Sequence, residues 1–508
     1  MSYNNGLNDV LASRKKKTPE VKVNGPATSE VQQQREVKNN TPEKRKYDHL
    51  IHYDPGTSQI EQSDEENVQT VNETSVKKRK TIKKRRSFSE AIRALDAAPV
   101  CCRYFKRRGR VDMPLFMAII VLTVFGLVMM SSASYAQSLF ENRDSYDFIK
   151  QQIEGVLLGM ALMLALSIVD YKILITPFTQ MGGHFKRLFC RNFGIKYKKV
   201  DESKLKGNGL NPAHILFVGA VIVMIYTVFF GQEVAGAKRW VTFFGIRFQP
   251  SEFMKFFLII MMAYMLNRFY EDHAKNSWFP SFIRYALVTS ICAVLCMGQR
   301  HYSALIIVVV ICYSMMISAE VKGRKILIYT SFIVFVAALV VIFKYDSVAY
   351  IFTRIEGWFS PFADTGDTTY QTSQSLITIG SGGFFGRGLG NSIMKYYYLP
   401  EAQNDFVFSI VCEELGIVGG VTVVLLFVLF GYRGYKISKG AKDKFGSLLA
   451  LGITVQLVLQ AFFNIGVACN ALPNTGISLP FFSYGRTAIV IQLAEVGVLL
   501  SISRNSDT

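Results

Sequence analysis

Residues 114–130 read Pro-Leu-Phe-Met-Ala-Ile-Ile-Val-Leu-Thr-Val-Phe-Gly-Leu-Val-Met-Met, an apolar run without a single charge. The run continues with few interruptions to residue 138. As a helix rising 1.5 Å per residue it crosses a hydrocarbon core of about 30 Å. Similar runs recur at 153–169, 215–231, 253–266, 283–297, 304–319, 326–343, 406–432, 448–468 and 488–502. Half of the 508 residues are hydrophobic, and no soluble fold hides this much continuous apolar surface. The pattern predicts an all-α integral membrane protein with about ten transmembrane helices.

Upstream the composition reverses. Residues 1–110 are rich in Asn, Gln, Ser, Thr, Glu and Lys, with too few large apolar side chains for a core. They read as a disordered, basic cytoplasmic tail, and residues 111–508 as one membrane domain. No cleavable signal precedes the tail, which keeps the N-terminus inside. The net charge is +19, and the segment before Asp112 carries about ten more Lys and Arg than Asp and Glu. The basic run at 77–86 suits an anionic membrane leaflet better than nucleic acid, since a membrane protein always has the former beside it. Ser87 and Glu90 are spaced as a capping box and suggest a short juxtamembrane helix. The eight cysteines show no metal-ligand spacing and read as small hydrophobes.

Short loops set the orientation. The insert at 172–211 and the loops at 322–325 and 433–444 are basic and belong inside, which leaves both termini cytoplasmic. The opposite side receives residues 232–250, a long loop at 344–404, and residues 470–484.

Polar chemistry concentrates on that outer side. Lys238 and Arg239 precede Trp240, and Gln249 leads into Glu252 and Lys255 at a helix start. Three residues apart, Glu252 and Lys255 pair as a structural ion pair or meet a substrate. The stretch 379–390 holds six glycines; its turns present backbone N–H groups to an anion, or simply pack closely. It lacks the signature of a Walker A or dinucleotide loop. Arg387 and Lys395 add positive charge there. Glu401 and Asp405 follow at the mouth of the eighth run, where a partly desolvated carboxylate serves as a helix cap or a general base. Glu413 and Glu414 lie inside that run, costly unless they face a polar interior. Residues 472–485, including Ser483, are irregular and tolerate membrane depth only when buried in protein.

Taken in order, the strings 236–240, 249–255, 379–391, 399–406, 413–416 and 472–485 carry a resemblance. From about 114 to 504 the chain resembles the SEDS (shape, elongation, division and sporulation) family, the FtsW/RodA/SpoVE group, with wording nearest the division and sporulation branch. The resemblance implies ten helices in a bacterial cytoplasmic membrane and a peptidoglycan glycosyltransferase that polymerises lipid II. It implies Asp405 as the catalytic carboxylate. The leaving diphosphate would meet Lys238, Arg239, Arg387 or Lys395, with Gln249, Glu401 and Ser483 also around the substrate and Mg²⁺ or Mn²⁺ as a candidate aid. A class B penicillin-binding protein is the implied partner, and the tail offers further division proteins a site.

Two positions depart from the family pattern. Where the family has a string like Gln-Pro-Asp-Leu-Gly-Thr, this chain has Gln299-Arg300-His301-Tyr302-Ser303-Ala304, and Arg486 replaces the second glycine after Ser483-Tyr484-Gly485. Both changes add positive charge near the outer face and leave two competitors to the enzyme. A flippase for lipid-linked precursors needs polar groups reachable from both sides, whereas these cluster on one. A non-catalytic division scaffold is the other, against which the retained Asp405 and Glu401 argue.

Overall fold

The computed structural model describes residues 109–142, 146–178, 210–234, 237–243, 245–272, 278–343, 352, 354–363 and 369–506. The tail to residue 108, its basic run, the Ser87 and Glu90 pair, Cys101, Cys102 and most of the 172–211 insert lie outside the described residues. The helices are α1 (Met113–Asn142), α2 (Asp147–Ile168), α3 (Pro212–Phe230), α4 (Pro250–Asp272), α5 (Trp278–Gly298), α6 (Tyr302–Ser318), α7 (Gly323–Phe343), the short α8 (Tyr370–Ser381), α9 (Val407–Gly440), α10 (Lys444–Ala468) and α11 (Arg486–Ser503). Six of them, α1, α2, α3, α9, α10 and α11, are long and apolar enough to cross a membrane. Shorter apolar stretches occupy α5 and α6, while Glu252, Lys255 and Arg268 interrupt α4.

Apolar side chains cover these helices on all sides. On α1, Leu115, Ile119, Leu122 and Met129 are buried, while Met117, Val121, Val124 and Val128 are exposed. Exposure of so many large aliphatic groups is stable against lipid and costly against water. Between α2 and α11 the backbones approach closely. A Cβ at Gly159 would lie 2.7 Å from Leu493 Cδ1, and one at Gly497 would lie 2.6 Å from the Met163 carbonyl oxygen. Small residues permit this kind of packing where no hydrophobic effect drives helices together.

Ion pairs close the end of the bundle at which α1, α10 and their neighbours begin. Arg433 holds both carboxylate oxygens of Asp112 through its Nε and Nη2, and Lys172 Nζ lies 3.0 Å from Asp443 Oδ2. At the other end, three features depart from a simple helix-and-loop reading. Residues 232–250 fold as an antiparallel sheet of β1 (Gln232–Val234), β2 (Ala237–Phe243) and β3 (Ile246–Phe248), with Gln232 opposite Trp240 and Val241 opposite Phe248. The 344–404 loop contains α8, whose buried face is Thr372, Ser373, Ser375 and Thr378. A polar inward face has no apolar period, so the helix is invisible to hydropathy. Third, α9 breaks at Gly416, where φ is 68°. A Cβ there would lie 2.3 Å from the Phe384 carbonyl oxygen and 2.5 Å from the Gly386 nitrogen. Only glycine accommodates both the left-handed backbone and the loop packed against it.

Candidate active site

The glycine-rich stretch between α8 and Asn391 folds around two carboxylates of its own chain. Glu413 and Glu414 are fully buried on α9. Gly390 N and Ser392 N donate to Glu414 at 2.9 and 3.3 Å, and Ile393 N donates to Glu413 Oε1 at 3.0 Å. Lys395 Nζ sits 3.4 Å from Glu414 Oε1 and donates to the Gly390 carbonyl at 2.6 Å. Ser132 Oγ on α1 adds a fourth donor to Glu414 at 2.5 Å. The anion that these backbone amides receive is therefore internal. Lys395 is buried with it, and Arg387, partly exposed, lies 3.9 Å from Glu413 Oε1. Both cations are thus placed on this lock and not beside Asp405.

Asp405 sits on the turn that leads into α9. Its N–H and that of Asn404 donate to the carbonyl of Glu401 at 3.1 and 3.0 Å, and Glu401 adopts φ 54°. Asn404 Nδ2 donates to Glu401 Oε2 at 2.5 Å. Asp405 remains half-exposed while Glu401 is exposed. The Asp405 carboxyl is pushed up to about 6, first by burial among protein atoms and then by the negative charge of Glu401. Arg239 and Arg354 pull against that shift, which places two guanidinium groups around the carboxylate.

The sheet explains why Arg239 is one of them. Side chains alternate faces along β2, so Arg239 shares a face with buried Val241, and Lys238 takes the other. Arg239 Nη2 donates to the Arg300 carbonyl at 2.7 Å. The irregular 472–485 segment closes the site from above. Gly476 has φ 64°, and a Cβ on it would lie 3.4 Å from Asp405 Oδ2 and 3.8 Å from Arg239 Nη1. Arg354 Nη1 donates to the Asn474 carbonyl at 2.5 Å. Gln249 follows the sheet, and its carbonyl accepts from Glu252 N at 3.2 Å. Ser483 is buried and its hydroxyl accepts from Leu479 N at 2.7 Å, inside the turn.

Beneath the site lies a buried polar ladder. Glu252 Oε1 and Lys255 Nζ pair at 2.8 Å, both buried, and Lys255 also donates to Gln460 Oε1 at 2.8 Å. Gln456, Gln460 and Asn464 stand four residues apart on α10 and are each about 1% exposed. They reach Glu495, the Ser478 carbonyl and the Asp405 carbonyl in turn.

The family model for cell cycle proteins of the FtsW/RodA/SpoVE type matches residues 209–508. The chain belongs to the FtsW/RodA/SpoVE family. Its relatives include a probable peptidoglycan glycosyltransferase FtsW of Geobacter sp. (strain M18), 32% identical over 394 residues that cover 77% of this chain and 96% of the relative. Another is the stage V sporulation protein E of Bacillus subtilis (strain 168), 32% identical over 397 residues, covering 78% and 97%. The fold is shared with a chain of a peptidoglycan synthase complex, with TM-score 0.57, 22% identity and coverage of 78% and 98%. It is shared equally with the rod shape determining protein RodA of Thermus thermophilus, with TM-score 0.51, 20% identity and coverage of 78% and 98%.

Within this family member the two departures have different settings. His301 precedes α6 and is buried. Burial first, then Arg239 and Lys255, hold its imidazole well below the usual range and therefore neutral. Arg300 beside it takes φ 53°, and Ser303, in the place of the family's turn glycine, donates to the Thr475 carbonyl at 2.6 Å. The altered string thus supports the site's roof. Arg486 points away to Glu154 on α2, with Nη1 at 3.3 Å from Oε2 on a mostly exposed carboxylate.

Arg354 and Asn464 are the site residues that the sequence motifs left out. Arg354 lies in no recognisable string. Asn464 carried a usable signal, since Gln456, Gln460 and Asn464 at four-residue spacing put one polar stripe on an otherwise apolar span.

Proposed function

We propose that this multi-pass membrane protein is a peptidoglycan glycosyltransferase that polymerises lipid II with Asp405 as general base. The observation that carries the reading is the half-buried Asp405 carboxyl, raised to about 6 and flanked by Arg239 and Arg354. A carboxylate poised there is ionised at neutral pH and still basic enough to accept a proton. The acceptor sugar's 4-hydroxyl gives its proton to Asp405 as its oxygen bonds to the anomeric carbon of the donor. The bond from that carbon to the diphosphate breaks with the electron pair leaving on oxygen, and the anomeric centre inverts. Two guanidinium groups offset the charge that develops on the diphosphate. The basic loops support a cytoplasmic N-terminus and a cytoplasmic far end of the bundle, an orientation that turns the Asp405 end outward.

An apolar groove of about 330 Å³ between α3 and α4, lined by Ile215, Ala220, Phe253 and Phe257, suits a polyprenyl chain. Phe248 and Pro250 also line it, which brings it to the sheet that carries Arg239. Among the described residues no three His, Cys, Asp or Glu side chains gather as metal ligands. The described residues thus offer no ready-made cage for Mg²⁺ or Mn²⁺, and no step is assigned to either ion. A class B penicillin-binding protein that crosslinks the product is the partner this reading implies.

Purified protein in detergent, given lipid II with and without that partner, is expected to yield glycan strands resolved on a gel. Folded protein bound to its partner and producing no strands would contradict the reading.

A further inference from the structure

Four side chains from three parts of the molecule hold four carbonyls of one short segment. Arg354 takes Asn474, Ser303 takes Thr475, Asn464 takes Ile477 and Gln460 takes Ser478, at distances of 2.5 to 3.2 Å. One of the four does more. Asn464 Nδ2 donates to the Ile477 carbonyl at 2.7 Å and to the Asp405 carbonyl at 2.7 Å. Both amide hydrogens are used, and the orientation is fixed, because neither carbonyl can donate. Asn464 is about 1% exposed on a long helix packed through the bundle. It therefore ties the turn that carries the carboxylate to the segment that carries Gly476, whose Cβ position lies 3.4 Å from Asp405 Oδ2.

We infer that Asn464 is a positioning residue for Asp405, fixing the carboxylate against the 474–478 segment through two main-chain carbonyls. The inference rests on the function proposed above for what the positioning serves, and on geometry for the positioning itself. The ladder below it supplies rigidity, because Gln460 one turn earlier bridges Lys255 and Ser478. The charged groups around Asp405 are Glu401 on its own turn, Arg239 from β2 and Arg354 from the loop before α8. The 472–480 segment contains no titratable side chain. Release of the turn would let the carboxylate move toward water and lose the enclosure that raises its proton affinity.

Asn464→Ala and Asn464→Ser test this, the serine keeping one donor. Turnover per folded molecule is expected to fall about 10- to 100-fold for alanine, the loss typical of a reacting group displaced by about 1 Å. Serine should fall between alanine and wild type, with KM for lipid II unchanged in both. The acid limb of the rate profile should move down from about 6. A second readout needs no turnover: carbodiimide labelling of Asp405 against pH, followed by peptide mass, should show the same downward move. An inactive wild type whose labelling midpoint still moves on substitution would sink the enzyme reading and support the positioning. Unchanged turnover and midpoint would overturn it, as would an activity loss that merely tracks the folded fraction.

Discussion

Asp405→Asn is expected to slow glycan polymerisation by about 10²- to 10⁴-fold, the range that a general base contributes. The amide keeps the size of the side chain and its main-chain bonds to Glu401, so the turn into α9 survives. Stability should not fall. The folded carboxyl titrates near 6, above the ordinary carboxylate value. Such a group costs the fold stability as pH rises from that ordinary value through about 6, and the full cost is present above it. A neutral amide removes the cost, so the variant should melt at the same temperature at pH 7 or slightly higher. Loss of turnover with unchanged melting separates chemistry from folding. A variant that polymerises at the wild-type rate would remove Asp405 from the reaction.

The second large effect falls on the carboxylate lock. Glu414→Gln should destabilise the protein by about 3–5 kcal/mol, because it strands the buried Lys395 ammonium without its counter-charge. Glu414 also collects Gly390 N, Ser392 N and Ser132 Oγ, so the glycine-rich loop loses its anchor to α9 at the same time. Combining Glu414→Gln with Lys395→Met removes both charges and should recover most of the melting temperature. Thermal unfolding in one detergent reads both steps. A single variant as stable as wild type would mean that the lock is held by packing alone.

Much of the architecture was legible because lipid imposes a strict length and composition on each crossing. Residues 114–138 and 448–468 announce α1 and α10 by hydropathy alone. Elements of the other kind were hidden. The short α8 buries Thr372, Ser373, Ser375 and Thr378, and a helix with a polar inner face presents no apolar stripe. The sheet at 232–248 is held by main-chain pairing, and β1 and β3, at three residues each, are too short to display alternation.

At the site, the motif residues divide by depth and not by charge. Lys238, Arg239, Arg387 and Lys395 are all cations near glycine-rich strings, and the sequence gives no reason to prefer one. Strand parity places Arg239 beside Asp405, and the buried Glu413 and Glu414 draw Arg387 and Lys395 away. Long-range pairing of this sort depends on contacts hundreds of residues apart, as between Ser132 and Glu414. Arg354 was missed for the same reason, since its relation to Asp405 is set entirely by tertiary packing.

The most direct test of the central claim is the pH dependence of polymerisation in wild type and in Glu401→Gln. Protonated Asp405 cannot accept the hydroxyl proton, so the rate should rise with pH through a midpoint near 6 and level off above it. Glu401 raises that midpoint by its charge, and its removal should move the midpoint lower while the plateau stays. A rate that is flat from pH 5 to 8, or a midpoint indifferent to Glu401, would contradict Asp405 as the base.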